Sequence, residues 1–140
     1  MPVSDDEGLR EILELDTVAV VGCSSTPGKD AHSVPKYLQG HGYEVIPVNP
    51  FADEILGQKA YDSLADVDAE IDIVDVFRPS EEVPGIVDEV LERRESRGDV
   101  QVLWLQRGIR DDDAAARAEA AGIRVVQDAC MRAKYRRLMD

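Results

Sequence analysis

Two apolar periods alternate along the chain. Thr17-Val18-Ala19-Val20-Val21 is a short apolar run that stops at Gly22, the pattern of a strand buried on both faces. Glu44–Val48, Ile71–Phe77, Gln101–Leu105 and Ile123–Val126 predict four more strands. Between them the period changes to that of a helix. Val34, Tyr37, Leu38 and His41 share one face before Gly42 ends the segment. Val83, Ile86, Val87, Val90 and Leu91 fall at i, i+3, i+4, i+7 and i+8. Asp111 to Ala121 is alanine-rich and closed by Gly122. Ser4-x-x-Glu7 reads as a capping box ahead of Leu9, Ile12 and Leu13. Asp128 reads as the cap of a last helix that turns Met131, Tyr135 and Leu138 inward. Pro47 lacks an N–H, which puts the second strand near a sheet edge or makes it irregular. Ile55-Leu56-Gly57 and Tyr61 to Leu64 predict a loop with a short helix.

A leading helix followed by repeated strand–helix units predicts an α/β fold: a Rossmann-like parallel five-stranded sheet with helices on both faces. Neither an internal repeat nor a linker breaks the order, so residues 1–140 are expected to form one domain. Ligands of such sheets bind beyond the carboxyl ends of the strands, where strand order reverses. The residues that follow each strand therefore carry the functional information.

The first of these loops, Gly22-Cys23-Ser24-Ser25-Thr26-Pro27-Gly28-Lys29, is small, polar and turn-rich, and a helical pattern starts near His32. A glycine at a strand end followed by a helix N-terminus can hold a phosphate on free N–H groups. The loop has neither the GxGxxG spacing nor the Lys-Ser/Thr pair of a Walker A sequence, and it offers hydroxyls instead. An ordinary strand-to-helix turn is the alternative. After the second strand come Asn49 and Pro50, where a NAD-binding fold would place an acid for the ribose. Asn49 could donate to a phosphate or ribose; turn chemistry is the plainer alternative. After the third strand, Phe77-Arg78-Pro79 sets Arg78 in an extended conformation beside a helix start, suited to a phosphate. Its alternative is a surface pair with Glu81 or Glu82. Trp104 is expected in the core. Asp72 and Asp75 lie within the third strand and are expected at solvent-facing or inter-helix positions.

Charge narrows the picture. The 29 acids against 16 bases leave a net charge of −13, spread along the whole chain. Twelve of the bases are Arg and four are Lys. An acidic, lysine-poor surface suits a salt-loaded, halophilic cytoplasm, where concentrated salt screens repulsion. It speaks against nucleic-acid binding, which needs a basic face. The N-terminus carries no signal-peptide pattern and no apolar run reaches membrane length, so a cytoplasmic location without a membrane is expected. Cys23 and Cys130 have no metal spacing and are read as free thiols. Metal ligands are not expected.

Taken in order, the strand-end segments carry a resemblance. Val-Val-Gly-x-Ser-x-x-Pro, Val-Ile-Pro-Val-Asn-Pro, Ile-Leu-Gly, Asp-Ile-Val-Asp-Val-Phe-Arg, Leu-Trp-Leu-Gln-x-Gly and Asp-x-Cys-Met resemble the small stand-alone coenzyme A-binding proteins. They are similar to the coenzyme A-binding domain of succinyl-CoA synthetase and of the ADP-forming acyl-CoA synthetases. The resemblance runs from about Thr17 to Leu138. It implies coenzyme A or an acyl-CoA as ligand. It places Gly22, Ser24, Ser25 and Thr26 around the phosphates, Asn49 and Pro50 at the second strand end, and Phe77, Arg78 and Pro79 on the adenosine and pyrophosphate side. Lys29 lies where a base could reach a phosphate. Cys23 departs from the expected apolar residue and sets a thiol in this loop, either as a small buried side chain or as a partner for a mixed disulfide with the coenzyme.

Catalysis has less support. The synthetases pass phosphate through a histidine and a nucleotide-grasping domain, and neither is expected in this chain. His32 and His41 sit at the two ends of the second helix, with no nucleophile, base and orienter set around them. The expectation is a non-catalytic binding module with a protein partner or homo-oligomer left open. A NAD(P)- or nucleotide-dependent enzyme on the same scaffold, or a flavodoxin-like regulatory protein, are the alternatives.

Overall fold

The structure is a computed structural model that describes residues 2–139. β1 (Thr17–Val21), β2 (Glu44–Val48), β5 (Ile73–Val76), β6 (Val102–Leu105) and β7 (Arg124–Val126) form a parallel sheet. The strand order is β2-β1-β5-β6-β7, so the chain reverses direction across the sheet between β1 and β5. The five expected strands are all present. Between β2 and β5 a two-stranded antiparallel hairpin, β3 (Glu54–Ile55) and β4 (Gln58–Lys59), and a 3-10 turn at Leu64–Asp66 replace the expected loop and short helix. Strands of two residues carry no period for a sequence to display.

The sheet alternates its side chains between two cores. Ala19, Ile46, Val74, Leu103 and Val125 face one core. There they meet Val83, Ile86, Val87 and Val90 of α3 (Val83–Arg97) and Ala114, Ala115 and Ala118 of α4 (Asp112–Ala120). Val18, Val20, Val45, Ile73 and Trp104 face the other. That core is covered by Leu9 and Ile12 of α1 (Asp6–Leu13), Val34 and Leu38 of α2 (Asp30–Gly40) and Met131 of α5 (Met131–Leu138). Helices thus cover both faces. Trp104 is fully buried, and its Nε1–H donates to the Ala129 carbonyl at 2.8 Å. Pro47 stands opposite Val20 on the edge strand β2, where the missing N–H breaks no ladder on the open side.

Three polar expectations differ. The cap of α1 is Asp5, whose carboxylate accepts from Gly8 N at 3.0 Å; Ser4 lies one residue too early. Asp128 does not cap α5. Its φ is +50°, and its Oδ1 accepts from Gly108 N at 2.6 Å, closing the turn after β6. Cys130 occupies the cap position without a side-chain bond. Asp75 is not solvent-facing. It sits between Val20 and Trp104 in the register and is fully buried. Asp72 stays at the strand's amino end, where its Oδ2 accepts from the N–H groups of Asp16 and Thr17.

Candidate functional site

The reversal between β1 and β5 opens a cleft, because α2 leaves β1 toward one face and α3 follows β5 on the other. The cleft has a volume of about 700 Å³ and is walled by the segments that follow β1, β2 and β5. Two of its walls meet at Gly22. A Cβ there would lie 2.7 Å from Arg78 Cδ and 2.9 Å from the Phe77 carbonyl oxygen, at a φ of +85°. Only glycine fits, and its absent side chain lets the two strand-end loops meet.

The loop after Gly22 is held by its own bonds. Ser24 N donates to the Ala31 carbonyl, and Thr26 N donates to Ser24 Oγ at 3.0 Å. Ser25, Thr26 and Lys29 are exposed on the cleft wall. Lys29 is also the cap residue of α2, and no side chain bonds the free N–H groups there. That leaves donors facing the region where an anion would gain from the helix dipole. Asn49 is committed to structure: its Nδ2 donates to the Cys23 carbonyl at 2.9 Å and its Oδ1 accepts from Phe51 N at 2.8 Å. It ties the β2 loop to the β1 loop.

Arg78 borders the cleft while its Nε and Nη2 grip Glu82 at 3.2 and 2.7 Å. That pair raises the guanidinium pKa and lowers that of Glu82. Nη1 remains outside the pair. Cys23 is buried beneath the loop, in the core against α2. Burial, then the charge of Asp75, push its thiol up to about 12. A thiol so protonated and enclosed is a packing residue, which removes the ground for a mixed disulfide.

Ten of the eleven expected residues therefore border one cleft: Gly22, Cys23, Ser24, Ser25, Thr26, Lys29, Asn49, Pro50, Phe77 and Arg78. Pro79 stands outside its wall and caps the 3-10 turn Ser80–Glu82 that leads into α3. Sequence reasoning missed several neighbours. Phe51 is 95% exposed at the rim, an unusual position for a large aromatic ring. Asp62, Glu82 and Glu89 bring negative charge into the wall, and burial followed by Glu92 raises the Glu89 pKa. Among the described residues no group of three or more His, Cys, Asp or Glu side chains is placed to hold a metal. Likewise, no helix there is long and apolar enough to cross a membrane.

Known proteins share this arrangement. The profile of the CoA binding domain matches residues 16–136. The uncharacterized protein YneT of Bacillus subtilis is 42% identical over 128 residues, covering 91% of each chain. The structure of a hypothetical protein from Pyrococcus horikoshii OT3 superposes with a TM-score of 0.91 at 35% identity, over 100% of this chain and 97% of that one. An ADP-forming acetate–CoA ligase of Methanocaldococcus jannaschii is 36% identical over 84 residues, 60% of this chain but only 12% of the ligase.

Proposed function

The chain belongs to the CoA-binding domain family, and we propose that it binds coenzyme A or an acyl-coenzyme A in this cleft as a module that is not catalytic on its own. The observation that carries the reading is the Gly22 contact. It joins two strand-end loops at the topological switch point and leaves no room for any other residue. The phosphates lie along Ser24, Ser25 and Thr26, at the open start of α2, with Lys29 and the free Nη1 of Arg78 supplying charge. Phe77 and the exposed ring of Phe51 offer apolar surface to adenine. Pro79 orients Arg78 from outside the wall. The module works in the cytoplasm with a partner protein or a second copy.

The acids in the wall oppose a polyanion, as does the net charge of −13. Salt screening reduces both penalties, since the Debye length falls to about 3 Å at molar salt. This fits a protein adapted to concentrated salt, whose melting temperature should rise from dilute buffer to molar potassium chloride. Calorimetry in that salt tests the ligand. Saturable coenzyme A binding without NAD binding is expected; NAD binding with no coenzyme A signal would reverse the reading. The NAD alternative has little support, because the residue after β2 is an Asn whose carboxamide already bridges two loops.

A further inference from the structure

A second cavity, of about 380 Å³, opens on the far side of Phe77, whose ring borders both it and the cleft. Its charge runs against that of the molecule. Seven arginines each pair with an acid: Arg78, Arg93, Arg97, Arg110, Arg117, Arg124 and Arg137. Among the described residues five others form no ion pair; Arg10 and Arg94 lie elsewhere, and Arg107, Arg132 and Arg136 all line this cavity. Among the described residues Arg107 has no side-chain hydrogen bond or ion pair. Arg132 reaches only Ser33 Oγ, at 3.4 Å. The Arg136 guanidinium lies 4.9 Å from the centre of the Tyr37 ring. In a chain with 29 acids, three arginines without a carboxylate in one cavity are a cost that a bound anion would offset.

The cavity is also positioned by the fold. Arg107 sits on the turn after β6 that the Asp128–Gly108 bond closes. Gln106 lines the cavity and is 3% exposed. Its Nε2 donates to Asp75 Oδ1 at 2.6 Å, and its Oε1 accepts from Met131 N at the start of α5, which carries Arg132 and Arg136. β6 and α5 are thereby locked in one orientation. Asp30 is the single acid on the wall; it forms no ion pair with the three arginines, and the cavity keeps a surplus of two positive charges.

We propose that this cavity receives a carboxylate at the far end of an acyl chain, so that the protein prefers thioesters of dicarboxylic acids over those of simple fatty acids. The inference rests on the coenzyme A reading above: with the phosphates in the cleft, the uncharged, flexible pantetheine arm leads away from the adenine end and delivers the acyl group to the arginines. Arginine suits the task because its planar fork can bind a carboxylate through two hydrogen bonds.

Calorimetry at one fixed salt concentration, with chains of equal length, tests it. Glutaryl-CoA is expected to bind about tenfold or more tightly than valeryl-CoA, the effect of one charge-assisted hydrogen bond. Arg107→Ala and Arg132→Ala should each erase most of that preference and leave the affinity for valeryl-CoA as it was. Equal affinities for the two thioesters, with coenzyme A itself binding, would overturn the inference and leave the coenzyme reading standing. Loss of affinity for both thioesters alike in the two variants would overturn it too. Free glutarate binding, lost in the variants but without thioester discrimination, would show an anion site unconnected to the coenzyme and equally defeat the proposal. Absence of binding by coenzyme A and both thioesters would remove the coenzyme reading and this inference together.

Discussion

The two ends of the sheet treat charge in opposite ways. At the amino end Arg93 and Asp99 are 3% and 7% exposed, and every polar atom has work to do. Arg93 Nε and Nη2 hold the carboxylate, Nη1 bonds the carbonyls of Leu64 and Val67, and Nη2 also reaches that of Ala69. Asp99 Oδ2 accepts in turn from Ile71 N. Next to it Val100 holds a φ of +67°, costly for a β-branched residue, with its N–H on the Ile71 carbonyl and its own carbonyl on Arg94. At the carboxyl end several polar groups are left open. Loop hydroxyls, Lys29 and three arginines face cavities, and Asp75 Oδ2 is buried with no partner. A closed network fixes one conformation, whereas open groups with a cavity in front of them are what a ligand completes.

The widest separation between the two ends should come from Arg93. Arg93→Ala leaves Asp99 buried without its counter-charge and takes a donor from three carbonyls, of which Leu64 keeps the Val67 N–H. The expected loss of stability is about 3–5 kcal/mol, read by chemical denaturation. A loss below about 1 kcal/mol would mean that water replaces the guanidinium and that the amino end is not the closed network described.

Asp75 gives the next largest effect, with the opposite sign. Burial lifts its carboxyl from 3.8 to about 7, against the lowering effect of the Gln106 bond. Between those two pH values the folded protein keeps a proton that the unfolded chain has released. Stability from this group is therefore complete near pH 4, falls as pH rises and is flat above about 7. Asp75→Asn imitates the protonated acid. Its stability relative to the parent should therefore grow by about 2–3 kcal/mol between pH 5 and pH 8, because the slope is at most about 1.4 kcal/mol per pH unit and acts over roughly two of those units. Equal effects at both values would show that the buried group does not titrate in this range. Comparing variant with parent cancels the titration of the other carboxylates.

The contrast between the ends was only partly legible in the sequence. The strands and helices were, since their apolar runs and periods are driven by burial on two faces. So was the cleft: a fold of this order puts Gly22, Asn49 and Arg78 beside one another because they follow adjacent strands. The polar networks were not. Arg93 lies in a helical stretch next to Arg94, and nothing in their order tells which is buried. Arg107, Arg132 and Arg136 converge only once α5 docks against β6. Ser4 and Asp128 misled because several Ser and Asp residues near a helix start satisfy the same capping rule, and geometry selects one. The exposure of Phe51 was not legible either, since the turn it sits in and the hairpin after it show no sequence period.

Arg78 sharpens the functional side. Its pair with Glu82 is half exposed, so breaking it should hardly alter stability. Arg78→Ala should instead weaken coenzyme A binding by about 1–3 kcal/mol, the range for a charge-assisted hydrogen bond. Melting temperature and calorimetric affinity, measured on the same preparation, separate the two. A melting temperature that falls while the affinity holds would move Arg78 to the structural class of Arg93.

Phe51 should give the smallest change and the cleanest one. Its side chain is 95% exposed, so truncation removes no packing from the core and should leave the melting temperature where it was. The ring is stationed at the cleft rim by the Asn49 turn, since Asn49 Oδ1 fixes the Phe51 N–H. A base entering between this ring and Phe77 would gain stacking surface that neither residue provides to the folded chain alone. Phe51→Ala is then expected to cost about 1 kcal/mol of coenzyme A affinity. Pantetheine lacks the adenine and should bind the variant and the parent equally. A loss shared by pantetheine would assign the ring to the arm and not to the base; no loss with either ligand would return Phe51 to the surface as a contact for another protein.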